Sequence, residues 1–246
     1  MSKMIIIDRS KKFLQFFDKE NETRKVDFLV LHHIEASSID HALEQFQQHQ
    51  VSSHFLIDED GKIFELVDEN DVAWHAGISY WSGVDGLNKN SIGIEFINPS
   101  PFTKKFEERQ MQAGVELCQY LIKKYNIKPQ NIVGHSDIAY VKETGILDRK
   151  QDPSHLFDWK FLARRGVGIF PEKISATKKN SLKKTKEMLQ KFGYRVTNLN
   201  DDFDHEMQAL TRVFNRRFLG KDSDIWDGNS QGVLKKLISK HCLRNR

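Results

Sequence analysis

The sequence predicts an α/β domain, a central mixed β-sheet flanked by helices, with a small bundle of three helices behind it. Three observations predict this. Short apolar runs alternate with amphipathic segments up to residue 171, the pattern of a helix-covered sheet. Polar residues, histidine above all, stand where those apolar runs end. After residue 181 three apolar stripes at helical spacing follow one another with no strand of note.

The elements follow in order. Asp27–His33 (DFLVLHH) reads as a buried strand with Phe28, Val30 and His32 on one parity. Ser38 is placed to cap a helix running to Gln48, with Ala42, Leu43 and Phe46 inward. His54–Asp58 and Lys62–Val67 flank Glu59-Asp60-Gly61, a hairpin signal because Asp-Gly accepts positive φ. Ser91–Asn98 (SIGIEFIN) is a strand stopped by Pro99 and Pro101. The best helix spans Phe106–Tyr125, with Met111, Val115, Cys118, Ile122 and Tyr125 at the 3.6 period. Asn131–Gly134 is a strand that delivers His135, and Asp158 caps a last short helix. Helices are expected at Leu182–Phe192, Asp204–Phe218 and Gln231–Cys242; each has one apolar stripe, so the three must share a core.

Charge divides the chain at the same place. Residues 1–171 hold 21 Lys/Arg against 25 Asp/Glu, net −4, whereas residues 172–246 hold 17 against 9, net +8. The expected organisation is a first domain over 1–171, a polar linker over 172–181 (EKISATKKNS) and a helical domain over 182–246. With 39% hydrophobic and 29% charged residues the 246-residue chain can bury an ordinary core, which excludes disorder and collagen-like repeats. No apolar run approaches the ~18–20 residues of a membrane span. Cys118 and Cys242 lie far apart and outside any CxxC, so neither a disulfide framework nor a thiolate metal site is expected. The run Met4–Ile7 is too short for a signal peptide. The expected compartment is therefore the cytoplasm, or the periplasm or exterior if a leader was removed or another route is used.

A few residues carry chemistry. A histidine closing an apolar strand is, by itself, more often structural. Here His32 and His135 close separate strands and Asp152 adds a carboxylate, and two imidazoles plus one carboxylate form the set that leaves zinc's fourth position open. His33 has the opposite parity, so one of the pair faces the site. Glu95 shares a strand face with Gly93 amid apolar residues. It is either a strand-end carboxylate in solvent or, if buried, in need of a cation or a displaced pKa, as a general base would be. Lys150 sits two residues before Asp152, on the same side of an extended segment, where an ammonium can reach an oxyanion. Trp74, His75, Tyr80 and Trp81 form an aromatic, glycine-containing loop that either closes a pocket over a sugar or pads a hairpin. These four and His54 are the candidate substrate contacts, although His54, heading a strand, reads as structural. His41, His49, His155, His205 and His241 read as surface residues.

With those residues in view, the first two-thirds resembles the zinc-dependent N-acetylmuramoyl-L-alanine amidases. It is most similar to their AmiD type, relatives of the anhydro-muropeptide amidases and the peptidoglycan recognition proteins. The matching stretches are Leu29–Ala36 (LVLHHIEA), Val51–Phe55 (VSSHF), Ala73–Ser79 (AWHAGIS), Asn90–Asn98 (NSIGIEFIN), Ile132–Ala139 (IVGHSDIA) and Arg149–Pro153 (RKQDP), in family order. The tail, with Leu189–Tyr194 (LQKFGY), is similar to the three-helix peptidoglycan-binding-like domain such amidases carry. The resemblance implies one zinc ion on His32, His135 and Asp152, Glu95 as the water-activating acid and Lys150 as transition-state support. It implies hydrolysis of the amide between N-acetylmuramic acid, intact or 1,6-anhydro, and L-alanine of the stem peptide, in bacterial cell-wall turnover or recycling. Zinc lowers the pKa of bound water from ~15.7 to roughly 7 and polarises a carbonyl.

Two departures bear on substrate range. Tyr140–Asp148 (YVKETGILD) lengthens the loop after the His-Ser-Asp motif, and Trp81-Ser82-Gly83 stands where relatives often have Trp-Arg-Gly. The rival function is a non-catalytic peptidoglycan receptor of the same fold, against which the retained ligands, Glu95 and Lys150 argue. The partners expected are peptidoglycan or muropeptide fragments. Nucleic acid is not expected, because the lysines of the +8 tail are scattered and form no basic–aromatic stripe. Oligomeric state is not set by the sequence.

Overall fold

The computed structural model describes residues 6–13, 15–19 and 24–242, the last two by backbone only. Met4 and Ile5 of the Met4–Ile7 run and the side chains of His241 and Cys242 lie outside the described residues.

Strand β3 (Phe28–Ile34) is the second strand from one edge of a six-stranded mixed sheet. With β1 (Ile7–Asp8), β4 (Phe55–Ile57), β5 (Ile63–Glu65), β9 (Ser91–Ile97) and β10 (Ile132–Gly134), the order is β1-β5-β4-β9-β3-β10. Only the hairpin β4–β5 is antiparallel, turning through Gly61 at φ 83° as its Asp-Gly pair requires. β2 (Phe17–Asp18) pairs with β6 (Val72–Ala73), and β7 (Tyr80–Trp81) with β8 (Val84–Asp85), as two small ribbons. Helix α1 (Ile39–His49) starts where Ser38 Oγ accepts the His41 N–H at 3.1 Å.

The sheet has two apolar faces because alternate side chains leave it on opposite sides. Leu29, Leu31, Ile92, Ile94 and Phe96 pack beneath α2 (Glu108–Tyr125), whose Met111, Val115, Cys118 and Leu121 are buried. The short helices α3 (His135–Ile138) and α4 (Trp159–Ala163) follow β10 and a long loop; Asp158 Oδ1 caps α4 through the Phe161 N–H at 2.8 Å.

The opposite face is covered by the tail. Helices α5 (Leu182–Phe192), α6 (His205–Leu219) and α7 (Gly228–Leu237), the last continuing as a π-helix over Ile238–Cys242, bring Leu189, Phe192, Leu210, Phe214 and Phe218 against Phe28, Val30 and Val133. The three stripes thus share their core with the sheet as well as with one another. Residues 172–181 have no helix or strand, but they are held along α7: the Thr177 N–H donates to Gly228 O at 2.9 Å and the Asn180 N–H to Gln231 Oε1 at 3.1 Å. Among the described residues no helix is long and apolar enough to cross a membrane.

Candidate metal centre and its cleft

The parallel strands β3 and β10 are neighbours, paired Ile132↔Leu29 to Gly134↔Leu31. Their carboxyl ends therefore lie together, and His32 and His135 close them on one side, where open α/β sheets place their sites. Asp152 arrives on the 149–152 segment, whose return is pinned by the Ser136 N–H to Asp152 O at 2.7 Å. His33, on the other parity, borders the cleft but adds no atom to the ligand cluster; its Nδ1 accepts the Ser154 N–H at 3.1 Å and so holds the turn after Asp152. Burial pushes His33 down to about 4.

Three atoms converge. His32 Nδ1 lies 3.1 Å from His135 Nδ1 and 3.0 Å from Asp152 Oδ2, and the latter two are 3.1 Å apart. Two buried rings and a carboxylate so arranged could hold a metal ion. Tetrahedral zinc with ligand bonds of ~2.0–2.1 Å needs ligand atoms about 3.3 Å apart, close to this triangle. His135 Nε2 sits 3.1 Å from Ala76 O, an acceptor, so Nε2 carries the proton and Nδ1 presents a lone pair to the triangle. Burial, with the neighbouring His135 ring, pushes His32 down to about 4, which leaves it neutral as a ligand must be. Burial works to raise Asp152, but His135 and His32 outweigh it and hold the carboxyl well below its ordinary range.

Glu95 lies beside the triangle because β3 and β9 pair His32↔Glu95. Its Oε1 is 4.0 Å from His32 Nδ1, and its buried Oε2 has no hydrogen-bond partner among the described residues. Burial and then the Asp152 charge raise its pKa well above the usual carboxylate value, and Lys150 opposes them. The expected interior carboxylate is therefore buried, not a strand-end group in solvent. Lys150 is exposed at the mouth of the same cleft. That cleft, of about 450 Å³, is bounded by His32, His135, Asp152, Glu95, Trp74 and Arg149, among others.

The candidate substrate contacts divide. Trp74 is 38% exposed on the rim and His75 lies on the floor. His54 and Trp81 do not reach the cleft. His54 is fully buried, its Nδ1 accepting the Gly93 N–H at 3.0 Å and its Nε2 donating to Asp71 O at 3.1 Å. Trp81 is a core residue, its ring centroid 4.9 Å from that of Tyr194 and 5.8 Å from that of Phe192. Tyr80, half-buried, lies beneath Arg195 and outside the cleft lining. A loop aromatic that pads a core reads the same in sequence as one that grips a sugar. His155, expected at the surface, is half-buried.

Both sequence departures point towards the tail. Asp148 pairs with Arg212 at 2.7 Å and Arg216 at 3.3 Å, and Gly145 O accepts from Arg195 Nε at 3.0 Å, so the 140–148 loop leans on the tail and none of it lines the cleft. The Ser82 N–H donates to Gly193 O at 2.9 Å, which turns that position from the site as well. Sequence reading passed over Asp137, fully buried two residues beyond His135 and bound to Tyr194 and Arg217. It also passed over Ser91, which shares the strand face of Gly93 and Glu95.

The profile of the N-acetylmuramoyl-L-alanine amidase family, Amidase_2, matches residues 22–155, over half of the chain and all of the converging residues. The chain belongs to this family. It is 40% identical over 162 residues to the N-acetylmuramoyl-L-alanine amidase AmiD of Escherichia coli, a stretch that is 60% of this chain and 56% of that protein's length. Its structure is similar to that of E. coli AmiD in complex with the substrate anhydro-N-acetylmuramic acid-L-Ala-D-γ-Glu-L-Lys. The TM-score is 0.75 at 30% identity, covering 92% of this chain and 93% of that one. It is also similar to AmpDh3 of Pseudomonas aeruginosa, with TM-score 0.76 at 26% identity over 97% and 99% of the two chains. These likenesses extend through the helical tail, and the fold is that of these amidases.

Proposed function

We propose that this amidase-family chain holds one zinc ion on His32, His135 and Asp152 and hydrolyses the amide between the lactyl group of N-acetylmuramic acid and L-alanine of the stem peptide. The observation that carries this reading is the 3.0–3.1 Å triangle of ligand atoms with an unpartnered, buried carboxylate beside it. Bound zinc supplies Lewis acidity, which polarises the amide carbonyl and makes water more acidic. Glu95, whose carboxyl burial raises well above its ordinary range, takes the proton of the attacking water and passes it to the leaving L-alanine nitrogen. Lys150 places its ammonium where charge grows on the amide oxygen. Trp74 offers an apolar face to the substrate at the rim, and Lys150 with Arg149 brings cationic groups to the cleft for its carboxylates. Residues 1–171 supply every group named here, and the basic tail is available to draw the chain to an anionic polymer.

The test is release of L-alanine-terminated peptide from anhydro-muramyl and intact muramyl peptides, before and after chelation. Activity should vanish on chelation and return with zinc. Glu95→Gln should lower kcat by roughly 10²–10⁴ with zinc content unchanged. Full turnover by metal-free protein would overturn the metal assignment, and tight muropeptide binding without release would establish a receptor instead.

A further inference from the structure

Beneath the triangle lies a chain of hydrogen bonds that no step above uses. Ser91 Oγ donates its single proton to Leu87 O at 2.6 Å, so towards His75 Nε2, 3.1 Å away, it can only accept. His75 Nε2 therefore carries the hydrogen, and Nδ1 of this buried ring is left as the acceptor. His75 Nδ1 lies 3.1 Å from His32 Nε2, which must then be the donor. The remaining nitrogen of His32, Nδ1, is left with its lone pair facing His135 and Asp152. Proton accounting along Leu87, Ser91 and His75 thus settles which nitrogen of His32 meets the metal.

The strand is shaped to admit this ring. Ser91, Gly93 and Glu95 alternate along one face of β9. A Cβ on Gly93 would lie 2.5 Å from His75 Cγ, so any side chain there displaces the imidazole. His54 backs it, with centroids 5.5 Å apart and planes at 73°. The next residue serves the other histidine, since Ala76 O is the acceptor for His135 Nε2. The dipeptide is itself fixed: the His75 and Ala76 N–H groups both donate to Asn88 Oδ1, at 3.2 and 2.7 Å.

We propose that His75, braced by Ser91 and seated over Gly93, is a positioning residue that sets the tautomer and orientation of His32 and thereby the affinity of the metal centre. Asn88 holds the backbone from which both ligand histidines are oriented. This inference rests on the metal assignment above but concerns a different pair of atoms. Partners of this kind set ligand basicity and ring angle, and their loss typically lowers metal affinity 10–100-fold.

The experiment uses the full chain with uniformly ¹⁵N-labelled histidine. Ring nitrogen shifts are read in the metal-free protein, and zinc affinity is read by chelator competition. In the parent, His32 should show Nε2 protonated and Nδ1 bare. His75→Leu should mix the His32 tautomers and weaken zinc 10–100-fold, and Ser91→Ala should do so less. His75→Asn, whose side-chain oxygen can stand near the position of Nδ1, should restore both readouts most of the way. A His75→Leu chain that keeps the parent's His32 tautomer and zinc affinity would overturn the proposal. If that variant does not fold, the same unchanged readouts in Ser91→Ala would overturn it. Should the parent bind no zinc, the metal assignment fails; a His32 tautomer that still shifts in His75→Leu would uphold the relay.

Discussion

The two histidines of the candidate metal centre are held by opposite means. His32 is fixed from within the first 171 residues, by a relay through His75 and Ser91 to Leu87. His135 is fixed partly from outside them. Asp137, two residues further on, accepts the Gly134 N–H at 2.7 Å and the Tyr194 hydroxyl at 2.9 Å, and pairs with Arg217, which also donates to Ile132 O at 2.8 Å. One ligand belongs wholly to the first part of the chain, and the other is braced by the tail. The difference teaches that a charge break in sequence need not mark independent units. Some of the tail's positive charge faces inward, with Arg217 on Asp137 and Arg212 and Arg216 on Asp148.

Removing the tail is the strongest way to break this comparison. Deleting 178–246 would uncover Phe28, Val30, Trp81 and Val133 and strip Asp137 of two partners. The expected result is loss of soluble, folded protein, and of turnover on muropeptides and on whole sacculi alike. Turnover of small fragments at the parent rate with a deficit confined to sacculi would show that the tail serves only to dock polymer.

A single substitution at the brace should have the next largest effect. Arg217→Met leaves the fully buried Asp137 without its cation and should destabilise the chain by about 3–5 kcal/mol, seen as a lowered urea midpoint. Adding Asp137→Asn should recover part of that loss, as a double-mutant cycle would measure. His75→Leu, by contrast, should move zinc affinity more than the midpoint. Equal behaviour of the two variants in both assays would erase the distinction between the supports.

Acid should act on several buried rings at once, His32, His54 and His75 among them, and His33 is the one that can be tested outside both braces. His33, pushed down to about 4 by burial, accepts a proton in the unfolded chain near 6.5 but not in the folded one. Between these values the unfolded state binds more protons, so stability falls as pH falls, by about 1.4 kcal/mol per pH unit for this ring. From pH 7 to pH 5 that amounts to about 2 kcal/mol, and His33→Gln should remove this share of the pH slope. A urea midpoint whose pH slope is the same in the variant would remove His33 from the account.

What could be read without a structure depended on distance along the chain. The parity of DFLVLHH placed His32 inward and His33 outside the ligand cluster, and the parity of SIGIEFIN set Glu95 on the face of Gly93. Those inferences held because alternation is a property of the extended backbone itself. Helix starts at Ser38 and Asp158 were legible for the same reason, each cap being local to its own first turn. The roles of His75, His54 and Trp81 were not legible, because an aromatic or imidazole in a loop looks alike whether it meets substrate, a metal ligand or the core.

By itself, then, the sequence determined the mixed sheet with its helices, the faces from which His32 and Glu95 project, and the polar residues available at the strand ends. Only the tertiary structure decided that the tail closes the second face of the sheet. It also decided that Arg217 reaches Asp137 across 80 positions of chain and that His75 meets Ser91 over Gly93. Such contacts join segments whose separation carries no period. They arise when buried polar groups, costly to leave unpaired, find partners wherever packing brings them.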